Sequence, residues 1–158
     1  MTSIVGWTGH RPDVFADSSA ARAAVFQAAR TLVAERFVVG GQRAVDTWAA
    51  EAANELKVPF TLLLPLPLTD FTADWLPADR DVLLEHLKLA SDVQILGGYT
   101  ERNRMVASSC ELLVAVWTGR RGGGTAETIE FAAQLGTSIR EIRLAPSSAT
   151  GSVAGHGI

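Results

Sequence analysis

The residues best suited to chemistry fall between Glu111 and Leu135. Six apolar residues, Leu112 to Trp117, break into Thr118-Gly119-Arg120-Arg121 and then into Gly122-Gly123-Gly124-Thr125. A helical pattern follows from Ala126 to Leu135. A short apolar run between turn signals reads as a strand buried on both faces. The next segment sets Ile129, Ala132 and Ala133 on one stripe, as an amphipathic helix would. Strand, glycine loop and helix in succession present backbone N–H groups at a helix N-terminus, where the helix dipole also favours negative charge. An anion site at Gly122, Gly123, Gly124 and Thr125 is therefore expected, because a bare turn seldom requires three consecutive residues without side chains. Glu127 and Glu130 share one helix face, and Glu127, in the first turn, is the better placed as a base or sugar ligand.

Similar glycine breaks follow other apolar runs. They are Gly9-His10-Arg11-Pro12, Gly40-Gly41 and Gly97-Gly98. If each preceding run is a strand of one parallel sheet, Gly9, His10, Arg11, Gly40, Gly41, Gly97 and Gly98 gather with Gly122–Thr125 at the carboxyl edge. His10 can orient a ligand or transfer a proton near neutral pH, or serve only as a hydrogen-bonded loop residue. Asp46 offers a ribose-hydroxyl contact, although a carboxylate in a helix's first turn is favoured in any case. Trp117, closing the buried strand, can wall a base pocket. Arg102 suits a phosphate, whose geometry a guanidinium matches with two parallel hydrogen bonds.

The elements that must position these groups follow from periodicity. Strands are expected at Ser3–Trp7, Phe37–Val39, Val58–Leu64, Asp92–Leu96, Leu112–Trp117 and Ser138–Leu144. Helices are expected from Ser18 or Ser19 to Arg36, along Val45, Trp48, Ala49, Ala52 and Leu56, then over Asp79–Ala90, Thr100–Ser109 and the segment after the glycine loop. Prolines at 65, 67 and 77 mark Leu64–Leu76 as an irregular excursion. Six strands alternating with helices predict an α/β fold, a Rossmann-like three-layer sandwich on a mainly parallel sheet covered on both faces. Residues 1–144 form one domain. The tail over 145–158 has too little apolar surface to offset ordering it and is expected to be disordered.

Composition narrows the function classes. The chain of 158 residues has 47% hydrophobic and 20% charged residues and a formal net charge of -3. That is ordinary globular material, and the acidic balance makes nucleic acid an unlikely partner. One cysteine, Cys110, excludes an internal disulfide, reads as structural, and suits the cytoplasm. No run approaches a membrane span, no zinc-ligand spacing exists, and neither a metal nor a resident cofactor is expected. A Walker loop needs Lys where Thr125 stands, and the dinucleotide fingerprint is reduced to Gly6-x-x-Gly9. ATP hydrolysis and ordinary hydride transfer are poorly supported.

In order and spacing, four motifs resemble the SLOG superfamily, a group that includes the YpsA-like proteins, the LONELY GUY phosphoribohydrolases and DNA-processing protein A. They are Gly9-His10-Arg11-Pro12, Gly40-Gly41 with Asp46 to Ala52, Arg102 to Val106, and Gly122 to Thr128. The resemblance runs from about Ile4 to Leu144 and is closest to the YpsA-like branch. It implies a Rossmann-like sheet binding a nucleotide or nucleotide derivative. The enzymatic branch cleaves the N-glycosidic bond of nucleoside monophosphates, and on that model Arg102 and Glu127 would be catalytic. Three positions depart from it. Arg120 and Arg121 replace Pro and Gly, and Thr128 stands where the branch has Glu, leaving Glu127 one residue early. Nucleotide binding is thus the leading expectation. Phosphoribohydrolase activity and a single-stranded DNA or interaction module are the alternatives. The Asp79–Ala90 helix carries more apolar residues than one stripe needs, so a homodimer is expected through it or the 100–109 helix.

Overall fold

The computed structural model describes residues 3–148. From β1 (Ser3–Gly9) the chain passes a 3-10 turn at Pro12–Val14 into α1 (Ser18–Thr31), β2 (Ala34–Val39) and α2 (Val45–Leu56). Then come β3 (Phe60–Leu64), the short α3 (Leu68–Phe71), α4 (Pro77–Leu89), β4 (Asp92–Ile95) and α5 (Tyr99–Ser108). β5 (Leu112–Trp117), α6 (Gly123–Leu135) and β6 (Ser138–Arg143) complete it. The strands form one sheet in the order β4-β3-β2-β1-β5-β6, and every pairing is parallel.

Alternation along the central strands builds two cores. Phe37, Val39, Leu62, Leu64, Val114 and Val116 join the helices α1, α2 and α4. Val38, Leu63 and Leu113 face the other way, onto Val106 and Ala107 of α5 and Ala132 of α6. A strand's side chains alternate between its two faces, so each central strand serves both layers. The result is a Rossmann-like three-layer sandwich. Cover is complete only over the middle strands, since all four residues of the edge strand β4 are exposed.

Several boundaries differ from the sequence reading. α1 stops at Thr31, short of Arg36, because Ala34 and Arg36 pair with Ser3 and Ile4 in the sheet. Its cap is the Asp17 carboxylate, which accepts from the Ala20 N–H at 3.1 Å, in place of Ser18 or Ser19. The excursion after β3 contains α3, anchored by the buried Phe71. The tail expected to lose order from Ala145 begins as a strap. Ala16 N–H donates to the Ala145 carbonyl at 3.0 Å, Ser147 N–H donates to the Val14 carbonyl at 2.9 Å, and Phe15 bridges Pro146. Positions 149–158 lie outside the described residues.

The strand order fixes where a ligand can enter. After β1 the chain adds β2, β3 and β4 on one side, then returns to lay β5 on the other. The order reverses between β1 and β5, and in open α/β sheets the crevice lies beyond the carboxyl ends at such a reversal.

Candidate functional site

A cavity of about 500 Å³ opens at that reversal. Of the residues expected at a site, Gly9, His10, Arg11, Gly40, Asp46, Arg102, Gly123, Gly124, Thr125 and Glu127 line it. Gly41, Gly97, Gly98, Gly122 and Trp117 do not. Trp7, Thr8, Gln42, Tyr99, Asn103 and Thr128 also line it, and sequence reasoning had not singled them out as site residues.

α6 contributes its N-terminus. Gly122 occupies the cap position with φ +78° and brings no side-chain hydrogen bond to the first turn. The N–H groups of a first turn lack intrahelical partners, so this end favours an anion. Thr128 is turned into the structure, its Oγ1 donating to the Gly124 carbonyl at 2.8 Å. The carboxylate that α6 brings to the cavity is therefore that of Glu127. It accepts from Asn103 Nδ2 at 3.0 Å and Thr100 Oγ1 at 3.4 Å, both from α5.

Arg102 is buried, and its Nε and Nη1 donors are spent inside the protein. Nε–H donates to Asn103 Oδ1 at 2.9 Å, and Nη1–H donates to the carbonyls of Gly40 and, at 3.5 Å, Leu63. It thus ties the ends of β2 and β3 to α5. Gly40 is what makes room: a Cβ there would come within 2.5 Å of Arg102 Nη1 and 3.0 Å of Asp46 Oδ2. Burial lowers the Arg102 pKa, and the Asp46 charge opposes that fall. Through Asn103 the arginine also sets the position of Glu127.

Asp46 is the least comfortable group in the cavity. Its Oδ2 accepts from Gln42 N–H at 3.1 Å, while Oδ1 is buried with no partner. Burial raises its pKa from 3.8 to about 6, against the pull of Arg102 and of the backbone at Gln42 and Gly40. The Trp7 indole N–H, also at the cavity, is likewise buried without a partner. Buried polar atoms are normally satisfied, so each of these two carries a desolvation cost within the folded chain.

His10 lies 3.2 Å from Thr118 Oγ1 through Nε2 and packs on Phe15 and Trp117. Burial, and then the Arg120 charge, lower its pKa to about 4, with Asp13 opposing. It is neutral at physiological pH and fits a hydrogen-bonding role better than proton transfer.

The remaining expected residues act elsewhere. Trp117 donates through Nε1 to Glu141 Oε1 at 2.9 Å, and the Arg143 guanidinium covers its ring at 5.3 Å. β6 thereby seals the face that a base would need. A Cβ added at Gly97 or Gly98 would meet no atom within 4 Å, and Gly98, at φ +129°, caps the start of α5. They aim Tyr99, Arg102 and Asn103 at the cavity from outside it. Gly41 packs against Leu64. Arg102 is buried, and Arg104 is paired with Glu101 at 2.7 Å and lies over Phe131, so these two do not add free charge to a basic groove.

No family model matches the chain, and no curated protein matches it. Solved structures do. DNA processing protein A from Streptococcus pneumoniae aligns at 17% identity with a TM-score of 0.62, over 89% of this chain and 50% of its own. DNA processing protein A from Helicobacter pylori, a structure concerned with its single-stranded DNA binding mode, aligns at 20% and 0.62, over 95% and 70%. The structural-genomics target TM1055 aligns at 20% and 0.61, over 88% and 72%. The chain shares its fold with these proteins. It spans half the length of the Streptococcus pneumoniae protein. Identities this low carry the fold across and leave ligand and activity to the site itself. No helix among the described residues is long and apolar enough to cross a membrane.

Proposed function

We propose that this SLOG domain binds a nucleoside phosphate or an ADP-ribose-like molecule, with a phosphate at the α6 N-terminus. The observation that carries this is the glycine-capped first turn of α6 opening into the cavity at the strand-order reversal. Arg11, which also lines the cavity, supplies positive charge at the end of β1. Asp46 and Glu127, which both line the cavity, offer acceptors for sugar hydroxyls. A charge-assisted hydrogen bond contributes about 1.5–3 kcal/mol, so after the costs of association a lone phosphate would bind only near millimolar. A sugar and base are needed to fill the cavity and tighten it.

Calorimetric titration and thermal shift with nucleoside mono- and diphosphates test this reading, and silence from all of them at millimolar concentration would remove it.

One observation favours hydrolysis as a second reading. Asn103 and Thr100 hold the Glu127 carboxylate at the cavity, where it could stabilise an oxocarbenium-like sugar during cleavage of an N-glycosidic bond. Arg102 would act there by positioning, through Asn103. Chromatographic detection of free adenine from AMP tests the activity, and a rate unchanged in Glu127→Gln would reject the role of Glu127. The DNA-processing neighbours leave no ground for setting nucleic acid aside, although the acidic balance, the buried Arg102 and the paired Arg104 argue against a basic groove. Gel-shift affinity for single-stranded DNA at physiological salt decides that reading.

A further inference from the structure

We propose that Tyr99 is the stacking platform for the base of the ligand, a role the sequence had pointed toward Trp117. This rests on the nucleotide reading above and assigns one end of the same cavity. Trp7 and His10 also line the cavity but are 1% and 7% exposed, whereas Tyr99 is 47% exposed. Of these rings, Tyr99 alone is exposed enough for a flat ligand to reach.

The ring is held for that purpose. Tyr99 opens α5 directly after Gly98. It packs on the buried Phe71 with centroids 6.3 Å apart, and Phe71 packs in turn on Trp75 at 4.9 Å. The Arg102 guanidinium carbon lies 5.7 Å from the Tyr99 centroid, within cation–π range. A ring fixed by neighbours loses little freedom when a base stacks on it.

The sequence of groups along the cavity agrees. Thr100, next to Tyr99, contacts Glu127. Glu127 lies in the helix whose N-terminus is the phosphate seat. Tyr99, Glu127 and the Gly123–Thr125 turn therefore follow the order of base, sugar and phosphate. Stacking is tolerant of base identity because every base has a π-face. Tyr99 would thus tighten binding without selecting one base by its edge.

The test compares AMP with ribose 5-phosphate by calorimetry, on the unmodified chain and on Tyr99→Leu and Tyr99→Trp. Leucine still covers Arg102 but cannot stack. In the unmodified chain AMP should bind about 5- to 150-fold more tightly than ribose 5-phosphate. Tyr99→Leu should erase that advantage while leaving ribose 5-phosphate affinity unchanged, and Tyr99→Trp should keep it. An AMP advantage that survives Tyr99→Leu places the base elsewhere and overturns the assignment, with the phosphate site standing. Equal binding of AMP and ribose 5-phosphate to the unmodified chain overturns it as well. If neither compound binds, this assignment is overturned, and the nucleotide reading falls with it when the other nucleoside mono- and diphosphates are silent too.

Discussion

Asp46→Asn sets two opposing effects against each other at the cavity. Removing one partner of a buried ion pair ordinarily destabilises by about 3–5 kcal/mol. Removing an unfavourably buried charge does the reverse. The geometry favours the second effect. Asp46 accepts from Gln42, leaves Oδ1 unpartnered, and makes no direct ion pair with Arg102 among the described residues. Arg102 in turn leans on the Gly40 and Leu63 carbonyls and on Asn103. Raising the Asp46 pKa from 3.8 to about 6 means that ionisation costs the folded state about 3 kcal/mol.

The sign follows from proton counting. Between 3.8 and about 6 the folded chain binds more protons at Asp46 than the unfolded chain, so this group's contribution falls as pH rises through that window. Asparagine mimics the protonated form at every pH. Asp46→Asn should therefore stabilise the chain by about 2–3 kcal/mol near neutral pH, a gain of roughly 5–10 °C in melting temperature. The gain should shrink as pH is lowered and vanish below about pH 4. Chemical denaturation of both chains at a series of pH values reads the difference directly, because other titrating groups cancel. A loss of several kcal/mol above pH 6, recovering on acidification, would show that attraction to Arg102 outweighs burial and would refute the reasoning.

Other outcomes follow from the same geometry. Gly124→Asp should fold at least as well as the parent, since the position has ordinary helical backbone and an acid in a first turn is favoured, yet it should abolish nucleotide binding by calorimetry. Gly123 is the poorer test because its φ of +84° strains any side chain. Arg11→Gln should weaken phosphate-bearing ligands about tenfold or more without lowering the melting temperature. The His10 imidazole should show no NMR titration between about pH 8 and pH 5, because burial holds its pKa near 4. The surplus apolar face of α4, with Val82 39% and Leu89 50% exposed, leads us to expect a homodimer, and Leu89→Glu should give a monomeric mass by light scattering.

Much of this arrangement was legible in the sequence, and the exceptions have physical causes. Apolar runs closed by glycines marked four of the six strands, and a parallel sheet then brings their carboxyl ends to one edge. What periodicity cannot give is strand order. Gly97-Gly98 closes a strand like the others, but β4 lies at the far edge of the sheet, three strands from β1. Trp117 does end beside the glycine loop. Its ring is nevertheless covered by Glu141 and Arg143, because β6 pairs with β5 in a register the sequence does not display. Asn103 sat inside a recognised motif and was passed over for the neighbouring arginine. Its role appears only when α5 and α6 are side by side. The orphaned Trp7 and Asp46 atoms depend on burial in three dimensions and left no local signal.

The central claim is that the α6 N-terminus and the adjoining cavity hold a phosphate-bearing nucleotide. Calorimetric titration of the unmodified chain with AMP and ADP, run beside Gly124→Asp and beside a single-stranded oligodeoxynucleotide, tests it most directly. Saturable binding of a nucleotide to the parent is expected, with none to Gly124→Asp and no comparable affinity for the oligodeoxynucleotide at physiological salt. Nucleotide binding that persists unchanged in Gly124→Asp, or an oligodeoxynucleotide that binds while both nucleotides remain silent, would contradict it.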